Sequence, residues 1–462
     1  MKLFARIISA ITALLFSIAG LNASVIGFTE GEPIKPEKVS YRYDNSKLLI
    51  GGYYGGEGLG KLAAEAGIDF IIESGVTEAE LDEYYANGVG LIVGGYNLNS
   101  LYGTASEESV RSWTNIDLNT YKDHPAIWGD DLIDEPSAQC YAHLENAYKG
   151  YRSAFDDKMC LINLFPIYAN EEQLGEDPQV SVLQRILLAF SGQSRDDVDK
   201  YKRYVSDYIN TISTDYICVD IYPYYSETGA GGTEKKYTGE WYVRNLDILA
   251  EACRDTGRDL WVITQAAGLT KDGIDDPGSP RWCDEVSDIS QQAFASLAFG
   301  SKAIIHGLYA SKGWWDADSH MIGSDGKPTD TYYSAQTVNK WLKSFAEEYG
   351  KYEYTSTYML NKGKVAGFDK GELATTVEDE KADITSKNGL LIGTFSGEND
   401  SKAYIITNME ELNNNVTAKA VFTVPEGKTA VLYQQGKAAE FAGGTDITLN
   451  LNAGEGVFVT VK

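Results

Sequence analysis

The feature that most restricts the fold is an alternation of short apolar runs with amphipathic segments between about residue 47 and residue 350. The apolar runs are continuous, which is typical of parallel strands that are covered on both faces. Eight runs are present, at residues 48–53, 69–73, 90–94, 126–133, 159–165, 216–221, 260–264 and 303–308. Eight strand–helix units in roughly 300 residues predict a (β/α)8 TIM barrel, an α/β fold.

A doubly wound sheet is the competing fold, but it usually has fewer strands and a glycine-rich phosphate loop after the first. The glycines at residues 51–56 follow the first predicted strand, yet they lack the G-x-G-x-x-G register of a dinucleotide site. We interpret them as positions for tight turns and close packing. The sequence therefore predicts no nucleotide cofactor.

The two ends of the chain differ from the barrel region in their pattern of apolar and polar residues. Lys2 and Arg6 precede a largely apolar run at residues 7–20 and a patch of small residues, which is typical of a secretory signal peptide ending near Ala23. A membrane anchor would require roughly 18 or more apolar residues. We expect a signal peptide at residues 1–23, a lead segment at 24–46, and export to the periplasm or the outside of the cell, with no membrane-spanning segment after cleavage.

From about residue 351 short β-rich runs appear, separated by turn signals such as Glu426–Gly427 and Gly443–Gly444. No helical pattern interrupts them, so residues 351–462 are predicted to form an antiparallel β-sandwich after a barrel at residues 47–350. This segment contains no recognisable catalytic cluster. We expect it to be a packing or sugar-contacting accessory domain.

Composition excludes several classes of partner. The formal net charge is -27, and such a surface repels nucleic acid and favours a neutral ligand. The five cysteines are widely spaced and odd in number, which does not indicate a disulfide framework. The four histidines show no metal-ligand spacing, and residues 316–325 have no EF-hand register, so neither zinc nor calcium is predicted. The oligomeric state stays open.

The working residues of a TIM barrel lie at the carboxyl ends of its strands. Polar and aromatic residues at these predicted ends are Tyr53, Tyr54, Glu73, Tyr96, Asn163, Asp220, Tyr222, Tyr224, Gln265, His306 and Tyr309, followed by Trp314 and Trp315 in the last loop. Aromatic rings stack on the C–H faces of sugars, while amides and acids bond the hydroxyls. This set predicts a carbohydrate site.

The stretch WGDDLIDEP at the fourth predicted strand is unusually acidic. It contains Asp130, Asp131, Asp134 and Glu135. Ionised carboxylates are costly in a buried strand unless they are paired or used. If Glu135 faces the mouth, period-two alternation sends Ile133 and Asp131 to the barrel interior, where Asp131 needs an amide or Tyr partner, and Asp130 to the helix layer. Asp134 then reaches the mouth only if the strand bends or bulges before Pro136.

This stretch resembles the fourth strand of TIM-barrel glycoside hydrolases, in which an acidic residue before Pro at the strand end is the proton donor. The resemblance is specific at residues 134–136 and less so at 220–224, and a β-sandwich after the barrel is common in such enzymes. It implies a glycoside hydrolase acting on an oligo- or polysaccharide, with Glu135 as general acid. The alternative for Glu135 is a carboxylate that stabilises the start of the next helix.

The sequence differs from the retaining clan-A enzymes among these TIM-barrel glycoside hydrolases at strand seven. Gln265 stands there in place of their nucleophilic Glu. Three hypotheses follow. Asp220 or Glu73 supplies the second carboxylate. Alternatively, hydrolysis is substrate-assisted, as in hexosaminidases, with Asp134 orienting the acetamido group and Tyr222 or Tyr224 completing the pocket. In the third hypothesis, the barrel binds glycan without cleaving it.

Overall fold

The structure is a computed structural model that describes residues 32–94, 120–175, 197–229, 232–237, 239–268, 283–310, 319–366, 368 and 372–462. The predicted site residues Tyr96, Trp314 and Trp315 and the predicted signal peptide lie outside these residues. Within the described ranges, no helix combines the length and the apolar character needed to cross a membrane.

Eight parallel strands form a closed barrel. They are β1 (Leu49–Tyr53), β2 (Phe70–Ser74), β3 (Gly90–Gly94), β4 (Ile127–Asp134), β5 (Met159–Leu164), β6 (Tyr216–Ile221), β9 (Asp259–Gln265) and β10 (Ser301–Gly307). The ring closes because β1 pairs with β2 on one side and β10 on the other. A hairpin of β7 (Tyr224–Gly229) and β8 (Gly232–Tyr237), which the sequence pattern does not predict, follows β6. The predicted (β/α)8 barrel is confirmed.

Helices cover the outer face of the barrel. The described helices are α1 (Gly60–Glu65), α2 (Glu78–Ala86), α3 (Tyr141–Ala154), α4 (Asp197–Thr211), α5 (Gly239–Thr256), α6 (Val286–Ala298), α7 (Asp330–Lys343) and the short α8 (Ala346–Tyr349). Short 3-10 helices lie at Ala138–Cys140, Lys362–Lys364, Glu378–Glu380, Glu398–Asp400 and Leu412–Asn414. Thr77 caps α2, since its hydroxyl accepts the Glu80 N–H at 3.2 Å.

The two faces of each barrel strand pack into two different apolar layers. Alternate residues fill the barrel interior, among them Leu49, Phe70, Ile72, Ile92, Leu161, Trp261, Ile263 and Ile305. The residues between them, such as Ile71 and Ile162, pack outward against the helices. Residues two apart along a strand face the same layer, so the position of a strand-end residue in this alternation decides whether it faces the interior or the helices.

The described part of the lead segment closes the amino-terminal end of the barrel. The Tyr43 ring stacks between Tyr41 and Trp128, with centroid separations of 5.0 and 4.6 Å. The Tyr41 hydroxyl donates to Asp215 at 2.6 Å, and the Arg258 guanidinium donates to the Ile34 carbonyl at 2.8 Å. The amino-terminal end of the barrel interior is therefore packed by side chains.

The C-terminal region consists of antiparallel strands, which confirms the predicted sandwich. They are β11 (Glu353–Leu360), β12 (Ile384–Ser386), β13 (Leu390–Ser396), β14 (Lys402–Asn408), β15 (Ala418–Thr423), β16 (Thr429–Gln434), β17 (Lys437–Ala442), β18 (Asp446–Leu451) and β19 (Gly456–Val461). One sheet has the order β11-β13-β14-β19-β16-β17 and the other β12-β15-β18. The larger sheet packs on α6, so closely that a Cβ at Gly393 would lie 2.1 Å from the Ala298 carbonyl oxygen.

Candidate active site

A β-bulge in β4 determines which of its acids face the barrel interior. Asp131 pairs with Leu161 of β5, whereas Ile133 pairs with the next residue, Ile162, so Leu132 is an extra residue. Leu132 and Ile133 both pack in the helix layer, which corrects the predicted interior position of Ile133. The bulge meets the condition under which Asp134 faces the mouth.

Asn163 joins the carboxylates of two neighbouring strands. It lies on β5, and its Nδ2 donates to Asp134 Oδ1 of β4 and to Asp220 Oδ1 of β6, each at 2.8 Å. The two acceptor oxygens are therefore no further apart than twice that distance. Asp134, Asn163 and Asp220, three of the predicted site residues, meet at the open end of the barrel.

Glu135 leaves the strand in a left-handed conformation, with φ of 49°. Its backbone N–H donates to the Asn163 carbonyl at 2.8 Å, and Pro136 then ends the strand. This conformation is uncommon for a non-glycine residue, and such backbone is frequent at functional sites. Burial, followed by the negative charges of Asp220 and Asp134, raises the pKa of the half-buried Glu135 carboxyl.

The three carboxyls have unlike electrostatic surroundings. Burial is the largest cause that raises the pKa of each one, although Asp134 is accessible to solvent at the mouth. Hydrogen bonds from Asn163 and Tyr222 oppose this rise in Asp220, and the Asn163 bond opposes it in Asp134. Among the residues that the structure describes, none donates a hydrogen bond to the Glu135 carboxyl, and burial, followed by the charges of Asp220 and Asp134, raises its pKa to about 10.

Asp131 lies deeper in the barrel than Asp134, on the same side of β4. The Tyr53 hydroxyl of β1 donates to Asp131 Oδ2 at 2.9 Å across the interior. This is the tyrosine partner that the sequence requires. Burial, followed by the charge of Asp134, raises the pKa of Asp131 to about 8. Asp130, by contrast, pairs with Val93 and is buried among the residues that face the helices. The half-buried Tyr54 packs edge-on against Tyr53.

Glu73 is not part of this cluster. Glu73 is two residues after Ile71 on β2, so its side chain faces the helices as that of Ile71 does. It lies beside Tyr84 of α2 near Gly55. Its buried carboxylate accepts the N–H of Gly55 and, at 2.6 Å, that of Ser74. We correct the expectation of a catalytic role, because this carboxylate holds the loop after β1.

Gln265 and Tyr224 bind each other instead of a ligand. Gln265 Oε1 accepts the Tyr224 N–H at 2.9 Å, and its Nε2 donates to the Tyr224 and Ala267 carbonyls at 2.8 and 2.9 Å. The Tyr224 hydroxyl donates to Gln291 of α6 at 2.7 Å. Both side chains are buried with their polar groups satisfied, which corrects their predicted role as substrate contacts.

His306 and Tyr309 also point away from the mouth. His306 Nε2 lies 2.9 Å from Asn339 Oδ1 of α7, and burial lowers the pKa of His306 to about 4, so the ring is neutral. The Tyr309 hydroxyl donates to the Leu59 carbonyl at 3.0 Å. These contacts tie β10 and its loop to the helix layer. The predicted sugar contacts at both residues are corrected accordingly.

Tyr222 and Tyr168 complete the described mouth. Tyr222, a predicted contact, is half-buried and hydrogen-bonds Asp220. Tyr168 does not appear among the sequence candidates; it follows β5 at the same end of the barrel, and burial, followed by the charge of Asp220, raises its pKa. The available signal was an aromatic residue two positions after Pro166, just beyond the end of β5.

No protein-family model and no curated protein sequence matches this chain. A solved structure described as a glycoside hydrolase superposes with a TM-score of 0.50 and 12% identity, over 93% of this chain and 96% of that chain. This chain has the fold of that glycoside hydrolase.

Two further solved structures are similar. A catalytic mutant of a β-galactosidase from G. stearothermophilus has a TM-score of 0.48 and 10% identity, over 92% of this chain and 99% of that chain. A monomeric β-xylosidase from Caulobacter crescentus has a TM-score of 0.36 and 11% identity, over 93% and 98%. At such identities the comparisons describe the fold, and the reaction has to be inferred from the site.

We predict that Asp131→Asn makes the protein more stable relative to wild type as the pH rises. The pKa of Asp131 is raised by folding, so its contribution to stability is present at low pH and is lost as the pH rises toward about 8. The difference in free energy of unfolding should grow by on the order of 1 kcal/mol per pH unit between about pH 5 and about pH 7. Urea unfolding measures it, with the exposed Asp123→Asn as control, and a constant difference would contradict the prediction.

Proposed function

We propose that this protein is an exported glycoside hydrolase that cleaves the O-glycosidic bonds of an oligo- or polysaccharide, with Glu135 as general acid. The observation that supports the proposal is that three carboxyls at the mouth of the barrel differ in their hydrogen bonds. Asp134 and Asp220 share the Asn163 amide, which favours their charged forms, while Glu135 lacks such a bond. Carboxyls whose surroundings separate their pKa values identify an acid and its partner. The signal-peptide pattern supports export.

In this mechanism Glu135 holds a proton at neutral pH and donates it to the glycosidic oxygen. The electron pair of the breaking C–O bond goes to that oxygen, and positive charge develops at the anomeric carbon. Asp220 is the proposed second carboxylate. It faces the same mouth, and Asn163 and Tyr222 oppose the rise of its pKa, so it ionises at lower pH than Glu135.

Asp220 acts either as nucleophile or as the base that activates water. Carboxyl separations of about 5–5.5 Å accompany retention, and roughly 6.5–9.5 Å accompany inversion. The anomeric configuration of the first product, observed by NMR, distinguishes these roles. Retention requires attack by Asp220 or by a group of the substrate itself.

Substrate-assisted hydrolysis is the second candidate, and the bulge at Leu132 favours it. The bulge turns Asp134 into the mouth directly before Glu135, and in this mechanism its carboxylate accepts the N–H of a 2-acetamido group. We expect hydrolysis of 2-acetamido aryl glycosides to exceed that of the matching 2-hydroxy compounds by at least tenfold in kcat/KM if this mechanism operates. Equal rates would exclude it and leave Asp220 as the second group.

Glu135→Gln tests the general acid. We predict a loss of about 10²–10⁴-fold in kcat for glycosides with poor leaving groups, because a positioned acid contributes that much. Dinitrophenyl glycosides should lose far less, since their leaving groups do not need the proton. The control is Glu440→Gln, at an exposed position of β17, and circular dichroism verifies the fold. Unchanged turnover in Glu135→Gln would refute the assignment, and glycan binding by a wild type that cleaves nothing would favour a binding protein.

Asn163→Ala should shift the acidic limb of the kcat/KM profile to higher pH. The Asn163 amide lowers the pKa of Asp220 by bonding its charged form, so removing the amide raises that pKa. Activity at mildly acidic pH is then lost and recovers as the pH increases. The matched control is Asn413→Ala, at an exposed position in the C-terminal region. A profile that falls equally at all pH values would show that Asn163 does not tune Asp220.

A further inference from the structure

The connection between β11 and β12, in the C-terminal region, also binds helix α5 of the barrel. The buried Asp247 of α5 accepts the Ala374 N–H at 2.8 Å, the Thr375 N–H at 3.1 Å and the Thr375 hydroxyl at 2.8 Å. Three residues before Asp247, the Arg244 guanidinium lies 4.8 Å from the centroid of the Phe368 ring. Since residues three apart share one side of a helix, one side of α5 is tied to the C-terminal region.

The same helix also binds the loop that follows β5. Asn245, two positions before Asp247, accepts the Ile167 N–H at 2.7 Å through its Oδ1, and both residues are buried. Ile167 comes four residues after Asn163, the β5 residue whose amide bonds two carboxylates of the mouth. Residues two apart on a helix point to different sides. One turn of α5 therefore contacts the C-terminal region on one side and a loop of the barrel mouth on another.

A second polar connection runs through α6. Gln291 is buried on this helix, and its Nε2 donates to the Glu410 carbonyl of the C-terminal region at 3.4 Å. Its Oε1 accepts the Tyr224 hydroxyl at 2.7 Å. Tyr224 begins the hairpin after β6, four residues beyond Asp220. The loops after two neighbouring strands of the mouth are thus both joined to the C-terminal region.

We infer that the C-terminal region holds the loops after β5 and β6 in position at the barrel mouth, acting through α5 and α6. Asp247 and Gln291 are the positioning residues. A buried polar group that loses its partners is costly, so each connection favours a single placement of the helix against the C-terminal region. The loops follow the strands that carry Asn163 and Asp220, which links this placement to the carboxyl cluster. The inference concerns the geometry of the mouth and does not depend on the proposed reaction.

Amide hydrogen exchange of the full-length protein, measured by mass spectrometry, tests the connection through α5. Asp247→Asn sets an N–H₂ group against at least one of the backbone N–H donors of residues 374–375. We expect the segment around Ile167, which bonds Asn245 and not Asp247, to exchange about threefold to tenfold faster than in the wild type. In the reciprocal variant, Asn245→Ala, residues 374–375 should exchange faster by a similar factor, because coupling between two sites acts in both directions.

Glu145→Gln is the matched control for Asp247→Asn. Glu145 of α3 is also a buried carboxylate that accepts a backbone N–H and a hydroxyl, both from Ser213, at 2.8 and 2.7 Å. Ser213 precedes β6, at the amino-terminal end of the barrel. The control should accelerate exchange around Ser213 and leave Ile167 at its wild-type rate. A general loss of stability is thereby distinguished from a connection to the mouth.

Tyr224→Phe tests the connection through α6 with the removal of a single hydroxyl. The Glu410 N–H, which donates to Asn408 Oδ1 at 3.1 Å, should exchange at least about twofold faster, because Gln291 loses one of its two partners. Circular dichroism verifies the fold of every variant.

Each outcome decides one of the two connections. Wild-type exchange around Ile167 in Asp247→Asn, or an equal acceleration there in Glu145→Gln, overturns the inference for α5. If Asp247→Asn does not fold, the reciprocal Asn245→Ala decides, and wild-type exchange at residues 374–375 overturns it. Wild-type exchange around Glu410 in Tyr224→Phe overturns the inference for α6. Exchange is measured without substrate, so a protein that cleaves no glycan would refute the proposed hydrolysis and leave these results standing.

Discussion

The arrangement of the site depends on the extra residue in β4. Strict alternation would place Asp131 and Ile133 on the same side and turn Asp134 toward the helices. Leu132 interrupts the alternation, and it and Ile133 both pack outward, so Asp131 and Asp134 face the same interior. One inserted residue thus brings two carboxyls to one side of a strand and places the second beside Asn163 of β5.

Asn163 affects the pKa values of the carboxyls unequally. Its two amide hydrogens go to Asp134 and Asp220, so two of the three carboxyls receive a bond that stabilises negative charge. Glu135, carried out of the strand by its left-handed backbone, experiences their charges without such a bond. Burial and these two charges raise the pKa of Glu135, the group that the fourth-strand resemblance indicates as the acid.

The barrel was predictable because a parallel strand covered on both faces has a continuous apolar sequence that differs from every surface element. The direction of a strand-end side chain was less predictable, since a shift of one residue moves it to the other face. Glu73 and His306 lie at strand ends as predicted. Their places in the alternation turn their side chains toward the helix layer, where they lie beside Tyr84 and Asn339. Tyr168 escaped prediction because its position depends on a turn anchored by the distant Asn245.

Gln265 shows why a missing carboxylate at strand seven does not by itself indicate a lost activity. Its Nε2 donates to two backbone carbonyls, and its Oε1 accepts a backbone N–H. A glutamate there would set a carboxylate against the Tyr224 and Ala267 carbonyl oxygens with no proton to donate, a costly arrangement in a buried position. The amide thus matches the backbone groups of the loop that it holds. In the proposed hydrolysis by two carboxyls, the second one is Asp220, which lies on the strand paired with that of Gln265 and faces the mouth that Gln265 does not reach.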